Sequence, residues 1–383
     1  MSPIYLDYNA TTPVDAAVLD AMLPYLQGEF GNPSSAHDLG GRAHDAVEAA
    51  RAEVAALIGA APDEIVFVSG GTEASNIAVR GAVRIDETRR DVVTSTIEHP
   101  ATEACCAFLE SEGHKVTRVA VTTNGLIEAE RVAATIGGKT ALVTIIHAQN
   151  EIGTIQPIAE IAAAARRHGA LVHVDAAQSV GKIAVNVKEL GADLLSIAGH
   201  KLYAPKGVGV LYMRRGVTLP PLLLGAGQEY GRRPGTENVP YIVALGEACR
   251  IASAMLEREA KRLSGLSGDL FAALKREIPD IVLLGDPKRR LPNTLNVLFP
   301  NVSGRKVLEK CRRVMASTGS ACHADSEEPS AILTALGIAR DSALGAVRLS
   351  LGRGTTNENV ADAAADLAAA WRSVLGAPAV AAE

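Results

Sequence analysis

No block of like charge runs through this sequence, and its formal net charge at pH 7 is only −5, with both signs interspersed. A basic stripe for nucleic acid or for an anionic membrane surface is therefore not expected. No uninterrupted apolar stretch reaches bilayer-spanning length. The chain enters a strand-like Ile4-Tyr5-Leu6-Asp7 directly, without the basic and apolar regions of a signal peptide. Cysteine is scarce, with Cys105, Cys106, Cys249, Cys311 and Cys322 spread widely. An odd, dispersed set is no disulfide framework, and no C-x-x-C pair marks a metal site. A cytoplasmic protein without a metal, with at least one thiol free for chemistry, is the expectation. Neither a Walker A loop nor G-x-G-x-x-G is present, which argues against nucleoside triphosphates and Rossmann dinucleotides.

The 383 residues, 48% apolar and 21% charged, suit an ordinary globular protein of about two domains. Apolar runs of strand length fall at 65–68, 91–95, 116–119, 142–147, 171–175, 194–198 and 208–213, and amphipathic stretches separate most of them. Continuous apolar strands alternating with helices predict a mainly parallel seven-stranded sheet sandwiched by helices, an α/β fold. Long helices are expected over 36–58 and 241–277. Shorter strands and helices after residue 277 read as a smaller α+β unit, with which the first dozen residues pack. The boundaries expected are 14–250 for the large domain, and 1–13 with 251–383 for the small one.

Several strand ends carry chemistry. The stretch 194–213 holds His200 and Lys201 between two apolar runs, beside a turn with Gly207 and Pro205. A lysine amine forms Schiff bases with aldehydes when part of it is unprotonated. Ser69-Gly70-Gly71-Thr72-Glu73 joins a strand to a helix, where backbone N–H groups and the helix N-terminus favour an anion such as phosphate. Thr72 is placed to cap that helix. His99 follows the strand 91–95, where a ring can stack on a flat ligand. Asn150 follows the strand 142–147, and Asp175, with Gln178 after it, ends the strand 171–175. A carboxylate at the end of a buried strand needs a partner or a cationic ligand atom. A carboxylate for a pyridinium nitrogen, an amine for an aldehyde and a phosphate site together meet the requirements for pyridoxal phosphate. Arg348 could fork onto a substrate carboxylate or form a surface ion pair. Cys322 stands among small residues with His323 beside it.

These residues resemble the cysteine desulfurase family. The likeness is carried by Tyr5-Leu-Asp-Tyr-Asn-Ala-Thr-Thr-Pro13, Gly31-Asn-Pro-Ser-Ser35, Ser69-Gly-Gly-Thr-Glu73, Asn150-Glu-Ile-Gly153, Gly199-His-Lys201, Arg233-Pro-Gly-Thr-Glu-Asn238, Gly319-Ser-Ala-Cys322 and Arg348-Leu-Ser-Leu-Gly-Arg353. It runs from about residue 4 to 370. The resemblance implies pyridoxal-phosphate fold type I and a class V aminotransferase-like homodimer. It also implies conversion of L-cysteine to L-alanine, with sulfur passing through an enzyme persulfide to an acceptor or cluster-scaffold protein. By the same resemblance Lys201 carries the cofactor, Asp175 pairs with the ring nitrogen and Gln178 hydrogen-bonds the ring oxygen. His99 stacks on the ring and helps move protons. Gly71, Thr72 and His200 bind the phosphate, helped by Thr236 reaching from the other subunit. Asn150 and Arg348 hold the substrate carboxylate, and Cys322 takes the sulfur. Two departures stand out. Ala198 replaces the serine usual in the family, losing one phosphate hydrogen bond, worth about 1–3 kcal/mol. Cys322-His323 with Asp325 also resembles selenocysteine lyases, so L-selenocysteine is an alternative substrate; a non-catalytic scaffold is the other alternative.

Overall fold

A computed structural model describes residues 2–319 and 328–376. Cys322, His323 and Asp325 lie outside the described residues. The chain opens with the short strand β1 (Ile4–Tyr5) and the helices α1 (Ala16–Gln27) and α2 (Asp38–Ile58). Then come β2 (Ile65–Val68), α3 (Gly71–Ala82), β3 (Asp91–Ser95), α4 (Pro100–Ser111), β4 (Val116–Val119), α5 (Ala129–Thr135), β5 (Thr140–Ile146) and α6 (Ile158–Arg167). The sheet is completed by β6 (Leu171–Asp175), β7 (Leu194–Ala198) and β8 (Gly209–Met213), with α7 (Val187–Leu190) between β6 and β7.

These seven strands lie in the order β2-β8-β7-β6-β5-β3-β4, and only β8 runs antiparallel to its neighbours. Strands β2, β5, β7 and β8 are buried along their whole length, and β6 at all but its first residue, as expected for a sheet covered on both faces. One apolar cluster joins the sheet to α1, α2, α6 and the start of the long helix α8 (Val239–Glu277). Another joins the opposite face to α3 and α4. Because β2, β3, β5, β6 and β7 all end at one edge, the segments after residues 68, 95, 146, 175 and 198 meet there.

The remaining elements build a second core. Strands β9 (Val282–Leu283), β10 (Thr294–Leu298) and β12 (Ala346–Ser350) form an antiparallel sheet, and β1 pairs with β11 (Val314–Met315). Helices α9 (Gly304–Lys310) and α12 (Asn357–Leu375) and the second half of α8 cover it. The short α10 (Ala331–Ala335) and α11 (Arg340–Ala343) pack over Ile97, Ile146 and Ile152 at the edge of the large sheet. Helix α8 thus crosses residue 250 without a break, giving its first half to one core and its second to the other. By length and composition α8 could cross a membrane, but its buried apolar residues are core residues of these two clusters. Helix α12 starts on a capping box in which Thr356 and Asn359 exchange side-chain-to-backbone hydrogen bonds.

The loop that carries Thr236 is anchored by a buried ion pair. Arg51 on α2 donates from Nη2 to Glu229 Oε1 at 2.8 Å and from Nη1 to Oε2 at 2.9 Å, and the Phe67 N–H reaches the same carboxylate at 2.8 Å. Glu229 and Tyr230 both have positive φ, 50° and 57°, a costly conformation that these bonds hold in place. Glu229→Ala leaves a buried guanidinium and an N–H without this partner. It should destabilise the protein by about 3 kcal/mol, read as a lower urea midpoint; an unchanged midpoint would mean the pair does not hold the loop.

Candidate active site

The sheet edge gathers the residues singled out above. Lys201 follows β7 directly, in a single turn of 3-10 helix. Its Nζ donates to the backbone carbonyls of Asn9 and, at 2.7 Å, Ala10. Burial pushes its pKa down to about 8; the nearby Arg348 adds to this, and Asp7 and Asp175 oppose it. A useful fraction of free amine therefore exists near neutral pH, as nucleophilic or proton-transfer chemistry requires. His200 bonds through Nδ1 to Thr11 Oγ1 at 3.1 Å. Burial, with the Lys201 and Lys206 charges behind it, holds its pKa at about 4, so its ring is neutral.

Asp175 is buried at the end of β6, and its Oδ1 accepts from the Ala177 N–H at 3.0 Å. Behind it His173 is sandwiched between Thr144 Oγ1 and Ser196 Oγ, each at 2.8 Å, and burial keeps it neutral, with a pKa of about 4. Gln178 donates from Nε2 to the Asn9 carbonyl at 2.9 Å, the same oxygen that receives Lys201. His99 caps α4, its Nδ1 accepting from the Ala101 N–H at 3.1 Å. In the neutral ring that leaves the proton on Nε2. The neighbouring Glu98 is buried, and its Oε2 has no hydrogen-bond partner among the described residues. Burial pushes its pKa up to about 8, with the Asp175 charge acting in the same direction.

Gly71 and Thr72 open α3, as an anion site needs, but the expected cap is corrected. Gly70 is the N-cap, and Thr72 lies inside the first turn. Glu73 instead accepts the Ser69 N–H at 2.6 Å and pairs with Arg233 at 2.8 Å, tying the loop that bears Thr236 to this helix start. Ala198 lies against the same turn, 3.4 Å from where a side chain on Gly71 would begin, and supplies no donor. Thr236 itself is exposed. On the other side, Arg348 is buried in β12. Its Nη2 meets Asp7 Oδ1 at 2.8 Å and its Nη1 meets the Asn150 carbonyl at 3.2 Å, so Arg348 and Asn150 do come together. A surface ion pair is thereby excluded for Arg348. Its Nε is buried with no partner among the described residues, a donor directed at no acceptor.

Two residues at the centre were not singled out from sequence. Asn9 is 1% exposed and links the three-stranded sheet to the loops at the edge of the large one. Its Nδ2 donates to the Asn150 carbonyl and Thr294 Oγ1, its Oδ1 accepts from Lys182 and Asn293, and its N–H bonds Ser350 Oγ. Lys182 is a second shielded amine, donating to Gln178 Oε1 at 2.6 Å. The spacing of Gln178 and Lys182, four residues apart, was the only signal available for it.

The class-V aminotransferase family model matches residues 4–362. A cysteine desulfurase of Nostoc sp. is 46% identical over 362 residues, 94% of this chain and 90% of the relative. The chain belongs to the cysteine desulfurase family. The human cysteine desulfurase is 44% identical over 364 residues, covering 94% of this chain and 80% of its own. Among solved structures, a NifS-like protein matches with a TM-score of 0.90 at 35% identity, covering 96% of this chain and 98% of its own. A structure of SspA in complex with cysteine matches with a TM-score of 0.81 at 38% identity, covering 91% and 98%.

As in any enzyme of this family, the cofactor is pyridoxal phosphate. The residues present fit it: an amine of lowered pKa, a buried carboxylate and a helix N-terminus share one edge of the large sheet, and β12 brings an unsatisfied guanidinium N–H. In the cofactor-free protein, reductive methylation of Lys201, followed by peptide mass spectrometry, should be half-maximal near pH 8. A half-maximum near the ordinary lysine value of about 10.4 would contradict the buried environment described.

Proposed function

We propose that this cysteine desulfurase converts L-cysteine to L-alanine and passes the sulfur to Cys322, and from there to an acceptor protein serving iron–sulfur cluster or thio-cofactor assembly. The observation that carries the reading is Lys201, a buried amine with a pKa of about 8 on the same sheet edge as the Asp175 carboxylate. When bound, pyridoxal phosphate supplies an aldehyde for the substrate amine and an electron-accepting ring that stabilises negative charge at the substrate Cα.

In this reading Lys201 holds the cofactor and moves a proton at the substrate Cα. Asp175 keeps the ring nitrogen protonated, and Gln178 donates to the ring oxygen. The imidazole of His99 lies against the ring and assists proton transfer. The N–H groups at Gly71 and Thr72 receive the phosphate, with neutral His200 as a further donor. Arg348 and Asn150 orient the substrate carboxylate. The Cys322 thiolate attacks the substrate sulfur. The S–S bond forms as the C–S bond breaks, and the carbon keeps the bonding pair and takes a proton. The balance is L-cysteine plus the Cys322 thiol giving L-alanine plus the Cys322 persulfide.

Residues 14–250 carry the cofactor in this account, and residues 1–13 with 251–383 carry the sulfur-accepting loop. The protein works as a homodimer in which Thr236 of one subunit completes the phosphate site of the other. Large exposed apolar side chains, Phe30 at 74% and Leu224 at 90%, support an interface of this kind. The free thiols Cys105, Cys106, Cys249 and Cys311, all buried, suit a reducing compartment, here the cytoplasm, although one relative is named mitochondrial.

Lys201→Ala should abolish alanine release from L-cysteine. Cys322→Ala should abolish it too while leaving the bound cofactor's visible absorbance intact. In the wild type, one extra sulfur should appear on the Cys322 peptide by mass spectrometry after incubation with L-cysteine. Alanine release by Cys322→Ala at the wild-type rate, or added sulfur confined to another cysteine, would remove Cys322 from the mechanism.

A further inference from the structure

We propose that Lys182 is a positioning residue that fixes the amide of Gln178, so that its NH2 group rather than its carbonyl faces the cofactor ring oxygen. The inference rests on the reading of Gln178 as the ligand of that oxygen.

An amide side chain has an acceptor end and a donor end of nearly the same shape, and its surroundings decide which way it points. A lysine ammonium has three donors and no acceptor, and the neutral amine still has two donors, one for each of two oxygens. Lys182 Nζ lies 2.6 Å from Gln178 Oε1 and 3.0 Å from Asn9 Oδ1. Both oxygens must face it, so both NH2 groups must point away. For Gln178 that direction is the Asn9 carbonyl, where Nε2 and the Lys201 amine converge. Turning the Gln178 amide over would set its NH2 against the ammonium and its oxygen against a carbonyl, losing both bonds. Asn9 cannot easily turn either. Its Oδ1 also accepts from Asn293 Nδ2 at 3.1 Å, and its Nδ2 is committed to Asn150 and Thr294.

Stability alone does not account for a lysine here. Burial, and the Lys201 and Arg348 charges, all disfavour its charged form. A small cavity of about 30 Å³ is lined by Lys182, Lys201, Tyr8, Tyr203, Glu259 and Arg353, so Glu259 on α8 supplies the cavity's one carboxylate. The neutral His200 also lies within the field of Lys182, and Asp7 and Asp175 within that of Lys201. A methionine of similar length would fill the same space without a buried charge. What it could not supply is a hydrogen-bond donor to two amide oxygens.

The test uses full-length protein and measures the dissociation constant for pyridoxal phosphate and the pH at which the visible absorbance of the loaded enzyme titrates. A donor on the ring oxygen and a nearby cation both oppose uptake of a proton at the cofactor's linkage to the enzyme, so losing either moves that midpoint upward. Lys182→Met should fold with a thermal midpoint at or above that of the wild type. Its absorbance midpoint should rise by about one pH unit, and its cofactor affinity should fall about tenfold. Lys182→Arg, which keeps a donor-only cation, should stay close to the wild type. Gln178→Ala should raise the midpoint as well, and adding Lys182→Met to it should contribute less than about a third of the single-variant shift. Additive shifts, an Arg variant that behaves like the Met variant, or a Lys182→Met absorbance midpoint equal to that of the wild type would each overturn the proposal. If Gln178→Ala itself moves nothing, the reading of Gln178 as the ring-oxygen ligand fails, and the role of Lys182 fails with it.

Discussion

The backbone carbonyl of Asn9 is the point on which the site depends. It accepts from the Lys201 amine and from the Gln178 amide, two groups just past the ends of different strands of the large sheet, β7 and β6. The side chain of the same residue bonds Asn150 on the large-sheet side and Thr294 and Asn293 on the other. A polar residue so deeply buried must have every donor and acceptor met. The N-terminal segment therefore cannot drift without breaking bonds to both halves of the molecule. The segment is held further by the Thr12 N–H to the His200 carbonyl at 3.0 Å and by the bridge from Asp7 to Ser350. A short stretch at the start of the chain thus sets the distance between the sheet edge that bears Lys201 and the strand that bears Arg348.

Charge follows from the same packing. Three basic side chains, Lys182, Lys201 and Arg348, lie within one another's fields, against the carboxylates of Asp7 and Asp175. Glu98, the other carboxyl at this edge, is pushed toward its neutral form, and the nearby histidines 147, 173 and 200 are held neutral by burial. The balance favours anions, which suits a cofactor phosphate and a substrate carboxylate. It also lowers the cost of releasing a proton from Lys201, the property a catalytic amine needs. Binding and reactivity thus share one electrostatic cause.

Much of this was legible in the sequence, for identifiable reasons. The strands ending at Val68, Asp175 and Ala198 are unbroken apolar runs, and a polar residue just past such a run has to lie at the sheet edge. Lys201, Asp175 and the glycines at 70 and 71 were found that way. Strand direction was not legible, since an apolar run reads the same in both senses, and β8 proved antiparallel. Helix α1 was missed because Pro13 precedes it and Pro24 interrupts its pattern. Thr72 looked like a cap because threonine at a strand-to-helix turn usually is one, but the cap lies two residues earlier, at Gly70, and the helix starts at Gly71. Asn9 and Lys182 draw their meaning from partners up to 341 residues away, which no local pattern records. Arg348 left two readings open until its burial beside Asp7 was seen.

The central claim is that Lys201, and not its shielded neighbour Lys182, is the lysine of the cofactor. Borohydride reduction of the pyridoxal-phosphate-loaded protein fixes the cofactor on whichever amine holds it, and peptide mass spectrometry then locates it. The account predicts the pyridoxyl group on Lys201, with Lys182 unmodified. Recovery of the group on Lys182 would contradict the assignment of the site and the order of roles built on it.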